Sequence, residues 1–303
     1  MKIGIIGAGK WGTALHFALS QKNEVYITSR HKHNLTNFVS LEKILTLEYL
    51  ILVLPAQVIR EWLQAHPLSP HHKVMLASKG IDIKTKKFLN QILEEYLPLN
   101  HLAFLSGPSF AAEVSKGLPT AVVVNSTNKN LAKKYAAAFP DFMKAYISDD
   151  IVGAEIAGAY KNVIAIAGGI CDGLQLGNNA RAALLARGLV EMDRFAERFG
   201  AKKETFLGLS GAGDLFLTAS SKLSRNYRVG LGLAQGKKVE EILNELGEVA
   251  EGVYTARAIY EIAKEYAIYT PIANEVYRIL QGKDPKQSII DLLERNENDS
   301  SNC

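Results

Sequence analysis

Cysteine is nearly absent from these 303 residues: Cys171 and Cys303 are the only two, and the second closes the chain. A disulfide framework and a zinc ribbon are excluded by count, and no metal site is expected. No uninterrupted apolar run approaches 18 residues, so no membrane span is expected. The opening MKIGIIGAGK is too short and too glycine-rich for the apolar region of a secretory signal. A reducing, cytoplasmic setting is the expectation. A basic run interleaved with aromatics is also missing, which argues against a nucleic-acid partner. There is no internal repeat and no low-complexity linker.

What is present is an ordinary globular composition, 48% hydrophobic and 22% charged. The length suits roughly two domains of about 100–200 residues each. Net charge is +4, unevenly spread. Residues 1–150 carry 17 Lys and Arg against 11 Asp and Glu, and residues 151–303 carry 18 against 20. The basic half is either a solvated face or an attraction for small phosphorylated molecules.

Apolar runs with strand character fall at residues 2–6, 24–28, 49–54, 74–77, 102–105 and 120–124, with a helical pattern at 13–21. Strands alternating with helices predict a doubly wound, mostly parallel sheet. The pattern changes near residue 150. Beyond it, residues 153–169, 179–200, 239–245, 254–266, 273–281 and 285–295 read as helices, and no strand is expected. The division expected is therefore a dinucleotide-binding domain at 1–150, a helical substrate domain at 151–295 and a frayed polar tail at 296–303. With no linker, the two halves pack directly, and their junction favours a ligand.

Gly7-Ala8-Gly9-Lys10-Trp11-Gly12 follows the first strand and opens the first helix. In that context it is a dinucleotide fingerprint. Gly7 permits the tight turn, Gly9 lets backbone approach a pyrophosphate, and Gly12 lets helix and strand pack closely. At the end of the second strand stand Ser29-Arg30-His31, where an NAD-preferring site has a carboxylate for the ribose. Arg30 suits a 2′-phosphate or a stacked adenine, which tilts the expected cofactor toward NADP(H) over NAD(H).

Lys79 follows a buried strand in Ser78-Lys79-Gly80, and a lysine there faces the crevice or solvates a loop. In Ser106-Gly107-Pro108-Ser109, Gly107 marks a turn and Ser109 reads as a cap for the following helix. Lys161 has Ala157, Gly158, Ile164 and Ala165 at helical spacing. Such surroundings desolvate the ammonium, lower its pKa and suit it to proton transfer. The competing readings are a snorkelling lysine or an ion pair with Glu155. Asp214, in Gly211-Ala212-Gly213-Asp214-Leu215, reads locally as a helix N-cap. Ser224-Arg225-Asn226 lies in a polar stretch, either a surface loop or a phosphate site using the arginine fork.

Taken together, these segments, with Ala250-Glu251-Gly252-Val253, resemble the bacterial-type NAD(P)-dependent glycerol-3-phosphate dehydrogenases. The resemblance runs in order over residues 1–255. It implies a Rossmann-like domain, then an all-helical domain of the 6-phosphogluconate-dehydrogenase type. It implies reversible reduction of dihydroxyacetone phosphate to sn-glycerol 3-phosphate, supplying glycerophospholipid synthesis. By position, Lys161 is the implied proton acceptor of the oxidative direction, with Lys79, Asn162 and Asp214 in the catalytic group. Lys79, Gly107, Ser109, Asp214, Thr218, Ser224, Arg225 and Asn226 are implied around the substrate. Gly7, Gly9, Lys10, Trp11, Gly12, Arg30, Lys79, Ala111, Arg225, Val249 and Glu251 are implied around the cofactor. A homodimer is compatible with the resemblance. One departure is a proline-glycine loop that the family carries before residue 49; only residues 36–47 fill that gap here. The alternatives are a β-hydroxyacid or ketopantoate-type dehydrogenase, or a non-catalytic dinucleotide sensor.

Overall fold

The computed structural model describes residues 1–294. Its first half is a seven-stranded sheet. The strands are β1 (Lys2–Ile6), β2 (Glu24–Thr28), β3 (Tyr49–Leu52), β4 (Lys73–Leu76), β5 (Leu102–Ser106), β6 (Thr120–Asn125) and β7 (Met143–Ser148). They lie in the order β2-β1-β3-β4-β5-β6-β7. Every pairing is parallel except β5 with β6. The mostly parallel sheet expected from the sequence is thus present. β7 is an addition to it: its alternate residues are solvated, so an edge strand hides among polar positions.

Alternation along each strand feeds two helical layers. Ile3, Ile5 and Ile51 pack with α1 (Lys10–Leu19) on one face. On the other, Ile6, Leu50 and Leu52 pack with α2 (Leu41–Ile44), α3 (Ala56–Ala65) and α4 (Leu89–Leu93). The helices α5 (Ala111–Val114) and α6 (Lys129–Ala137) return to the first face. β1 sits between β2 and β3, so the strand order reverses there. A crevice opens at its carboxyl end, where such sheets bind ligands.

No strand occurs from residue 151 to 294, as expected. The second half is built on α7 (Ile151–Gly173), which is buried on all sides. Asp150 caps it: the Gly153 amide donates to Asp150 Oδ1 at 2.9 Å. By length and composition α7 could cross a membrane, although Glu155 and Lys161 interrupt its apolar run. Its apolar surface is instead the core of this domain. Around it lie α8 (Gly177–Glu197), α9 (Lys203–Leu207), α10 (Asp214–Ala219), α11 (Arg225–Ala234), α12 (Val239–Leu246), α13 (Glu251–Glu265), α14 (Pro271–Leu280) and α15 (Pro285–Leu293). Arg295 and the tail at 296–303 fall outside the described residues.

The polar stretch Ser224-Arg225-Asn226, read either as a surface loop or as a phosphate site, starts a helix, α11. Its two glycines weaken helix propensity, which hid it in the sequence. Tertiary packing reverses that penalty. A Cβ on Gly230 would lie 2.0 Å from the Ile166 carbonyl oxygen, and one on Gly169 would lie 2.0 Å from that of Tyr227. Two backbones therefore touch where α11 crosses α7. Gly230→Ala must push the helices apart and should lower stability by about 1–3 kcal/mol. Gly208→Ala, whose Cβ would meet nothing nearer than 3.5 Å, should stay within about 0.5 kcal/mol. Urea midpoints of the two variants check this, and equal shifts would contradict the close-contact account.

Candidate active site

A crevice of about 1500 Å³ runs along the carboxyl ends of the strands and is closed by the helical domain. The glycine turn forms its floor. Gly7 holds φ at +116°, and a Cβ there would lie 2.3 Å from the Val53 carbonyl oxygen. A Cβ on Gly12 would sit 1.8 Å from the Gly7 carbonyl oxygen. Gly9 is the contrast, since a Cβ there would meet no atom within 4 Å. Gly7 and Gly12 are therefore fixed by the protein, and Gly9 presents bare backbone to the crevice. Gly9 is also the N-cap of α1, so that backbone is the amino end of a helix. This is the arrangement that accepts a pyrophosphate. A second sign of fit is Glu251. Its Oε1 accepts from the Ala56 amide at 3.3 Å, while its buried Oε2 has no partner in the protein. Burial raises the Glu251 carboxyl, and the Ala56 amide opposes the rise.

The reactive end of the crevice is a buried charge cluster. Asp214 is 1% exposed and Lys161 is 6% exposed. Lys161 Nζ donates to Asp214 Oδ1 at 2.5 Å and to Thr218 Oγ1 at 2.8 Å. Lys79 Nζ donates to Asp214 Oδ2 at 2.7 Å and lies 3.5 Å from the Gly107 carbonyl oxygen. A Cβ on Gly158 would come within 3.2 Å of Lys79 Cγ, so that glycine leaves room for the lysine stem. Burial lowers the Lys161 ammonium to about 7; Asp214 opposes the fall and Lys79 adds to it. Burial alone would raise the Asp214 carboxyl. The two lysines outweigh it and hold the group below the usual carboxylate range.

The local readings of three residues are revised by these contacts. Asp214 opens α10 without capping it; its carboxylate serves lysines 53 and 135 residues away. Ser109 does not cap α5 either, because Phe110 holds that position and the Ser109 hydroxyl donates to the Gly107 carbonyl at 3.2 Å. Glu155 does not pair with Lys161. It accepts from the Asn90 amide at 2.8 Å, and burial pushes its carboxyl up to about 8.

The crevice brings together Gly9, Lys10, Trp11, Arg30, Ala111, Val249 and Glu251. Lys79, Ser109, Lys161, Asn162 and Thr218 line the same crevice, with Ser224, Arg225 and Asn226. Asp214 and Gly107 stand behind its wall. Within the Ser-Arg-Asn segment the roles differ. Ser224 Oγ caps α11 by accepting from the Tyr227 amide at 3.2 Å. Asn226 Oδ1 accepts from the Gly252 amide at 3.0 Å and so fixes the start of α13 beside Glu251. Arg225 lines the crevice with its Nη1 3.5 Å from Glu248 Oε2. Asn162 donates to the Gly158 carbonyl at 3.3 Å. Two features were not legible in advance. Ser106 and Ser210 hydroxyls meet at 2.7 Å and tie β5 to the turn before Asp214. Glu248 lies against both Lys10 and Arg225.

The chain matches the N-terminal family model of NAD-dependent glycerol-3-phosphate dehydrogenase over residues 30–132 and the C-terminal model over residues 150–291. A Nitratiruptor protein named glycerol-3-phosphate dehydrogenase (NAD(P)+) is 78% identical over 299 residues, 99% of this chain and 100% of that one. The chain belongs to the NAD-dependent glycerol-3-phosphate dehydrogenase family. A second glycerol-3-phosphate dehydrogenase relative, from Sulfurimonas denitrificans, is 61% identical over 96% of this chain and 99% of its own length. The crystal structure of glycerol-3-phosphate dehydrogenase from Coxiella burnetii superposes with a TM-score of 0.90 at 35% identity, covering 97% and 99% of the two chains. Family membership bears out the fold class and sets aside the ketopantoate-type and sensor readings.

Because Asp214 supports the charged form of Lys161, Asp214→Asn should lower the lysine pKa further below 7. Its titration should move to more acidic pH in a pH–rate profile or by NMR of the labelled lysine. A move toward alkaline pH would contradict the assigned coupling.

Proposed function

We propose that this member of the family interconverts dihydroxyacetone phosphate and sn-glycerol 3-phosphate by proton transfer through Lys161. Membership makes the chain an NAD(P)-dependent oxidoreductase. The observation that carries the residue assignment is the crevice-facing Lys161 ammonium, lowered to about 7 and held on Asp214 and Thr218.

A nicotinamide held in the crevice would supply hydride to C2 of the ketone, and would take it back in reverse. In reduction, the Lys161 ammonium donates a hydrogen bond to the C2 oxygen and then its proton as negative charge develops there. The neutral amine left behind is reprotonated from solvent. In oxidation, that amine removes the hydroxyl proton. Asp214 orients both lysines from behind the wall, and Lys79 supplies a second positive charge at the reacting oxygen. Arg225, with Ser224 and Asn226 holding its segment, is assigned to the phosphate, whose binding positions the ketone. Gly7, Gly9 and Gly12 are assigned to the dinucleotide backbone, Lys10, Trp11 and Arg30 to its phosphates and adenosine, and Ala111, Val249 and Glu251 to the nicotinamide side. The domain division is assigned at 150/151, beside the cap of α7. A cytoplasmic role in glycerophospholipid supply and a homodimeric assembly complete the reading; sedimentation velocity reports the last.

Oxidation of NADPH on addition of dihydroxyacetone phosphate tests the reaction. Lys161→Met should lower kcat by about 100- to 10,000-fold while leaving NADPH binding within a few-fold. The wild-type profile should carry the sign of the lysine. Oxidation of glycerol 3-phosphate, which needs the amine, should rise as pH passes through about 7, and reduction, which needs the ammonium, should fall there. A variant keeping a tenth of the activity, or profiles flat across neutrality, would remove Lys161 from the reaction.

Arg30 lines the adenosine end, exposed at the end of β2, with His31 within 3.3 Å of its Nε. It is assigned to a 2′-phosphate, which makes NADP(H) the preferred cofactor. Arg30→Ala should therefore weaken NADPH by about 10- to 100-fold, the loss of one charged hydrogen bond, and spare NADH. Equal weakening of the two cofactors would make Arg30 a stacking residue.

A further inference from the structure

The crevice is lined by eight lysines and arginines and by only two carboxylates, Glu248 and Glu251. Such a field attracts any small anion, whatever its shape. Glu251 lies deep and is tied to α3 through the Ala56 amide. Glu248 is placed differently. It sits in the turn between α12 and α13, at the crevice mouth, with its side chain partly exposed. One carboxylate oxygen accepts from Lys10 Nζ, and the other accepts from Arg225 Nη1 at 3.5 Å. Lys10 is the first residue of α1 in the Rossmann-like domain, and Arg225 is the first of α11 in the helical domain. A single carboxylate therefore bridges the two domains through the two cations assigned above to ligand phosphates. The Lys10 hydrogen bond, reinforced by Arg225, holds the Glu248 carboxyl below its usual range, so the group is ionised at neutral pH.

We propose that Glu248 is an internal competitor that sets the affinity of the crevice: its carboxylate holds Lys10 and Arg225 and must release each cation to the ligand phosphate assigned to it. The inference rests on the assignment of Lys10 and Arg225 to ligand phosphates. A phosphate group displaces the carboxylate from either cation by charge-assisted hydrogen bonds, and the ion pair given up is subtracted from the binding free energy. Glu248 thus lowers the affinity of the crevice for the phosphate-bearing ligands that need these cations.

The test is an equilibrium titration of wild type, Glu248→Gln and Glu248→Asp with NADPH, followed by protein fluorescence, and with inorganic phosphate as a competing probe. Each partly exposed pair is weak, so Glu248→Gln should bind both probes about two- to tenfold more tightly at low ionic strength. Added salt should shrink that gap. Glu248→Asp, which keeps the charge but withdraws it by one methylene, should fall between. Unchanged or weaker binding in Glu248→Gln would overturn the proposal and make Glu248 a support for the cations. Lys10→Ala and Arg225→Ala in the same titration separate the two levels of the argument. If both leave the affinities unchanged, the phosphate assignment itself is wrong and the proposal falls with it. If they weaken binding and Glu248→Gln does not tighten it, only the proposal fails.

Discussion

A buried carboxylate shared by two lysines sets the terms for the rest of this molecule. Charges out of water are costly unless they are paired and hydrogen-bonded. Asp214 meets that condition with both oxygens occupied, one by Lys161 and one by Lys79. Burial brings Lys161 down to about 7, Asp214 opposes the fall and the second cation, Lys79, adds to it. That is the range which the proposed proton transfer needs.

Holding such a cluster requires a stiff surround, and the glycines provide it by letting backbone meet backbone. α7 carries Lys161 through the middle of the helical core, and α11 crosses it at van der Waals contact. The Ser106–Ser210 bond fixes the turn leading into Asp214 against β5, and the Gly107 carbonyl beyond that strand lies beside Lys79. Each member of the cluster is therefore set by a different element of the fold. Rigid placement of this sort is how short-range proton chemistry is kept in register.

How much of this the sequence displayed depended on distance along the chain. The glycine turn was legible because its three roles fall within six residues, and the structure distinguishes the same three positions by what surrounds them. Lys161 was legible because its desolvating neighbours lie on its own helix. Asp214 looked like a cap because its partners lie 53 and 135 residues away. Glu248 gave no signal at all, since Lys10 is 238 residues distant. α11 was hidden by glycines that penalise an isolated helix and favour a packed one, and β7 by the solvated positions of an edge strand. Local rules find local chemistry; a cluster closed by tertiary structure has no spacing to read.

The origin of the three charges has a consequence for recombination. Lys79 follows β4 in the Rossmann-like domain, whereas Lys161 and Asp214 belong to the helical domain. Separated from its partner, the helical half would keep Lys161 and Asp214 but lose the Lys79 charge that adds to the lowering of Lys161. The amino-terminal half would keep Lys79 without its carboxylate. The charge cluster is thus completed at the seam and in neither half alone. A chimera that joins this amino-terminal half to the helical half of a relative rebuilds the cluster only if its new seam returns Lys79 to the carboxylate, however well each half folds.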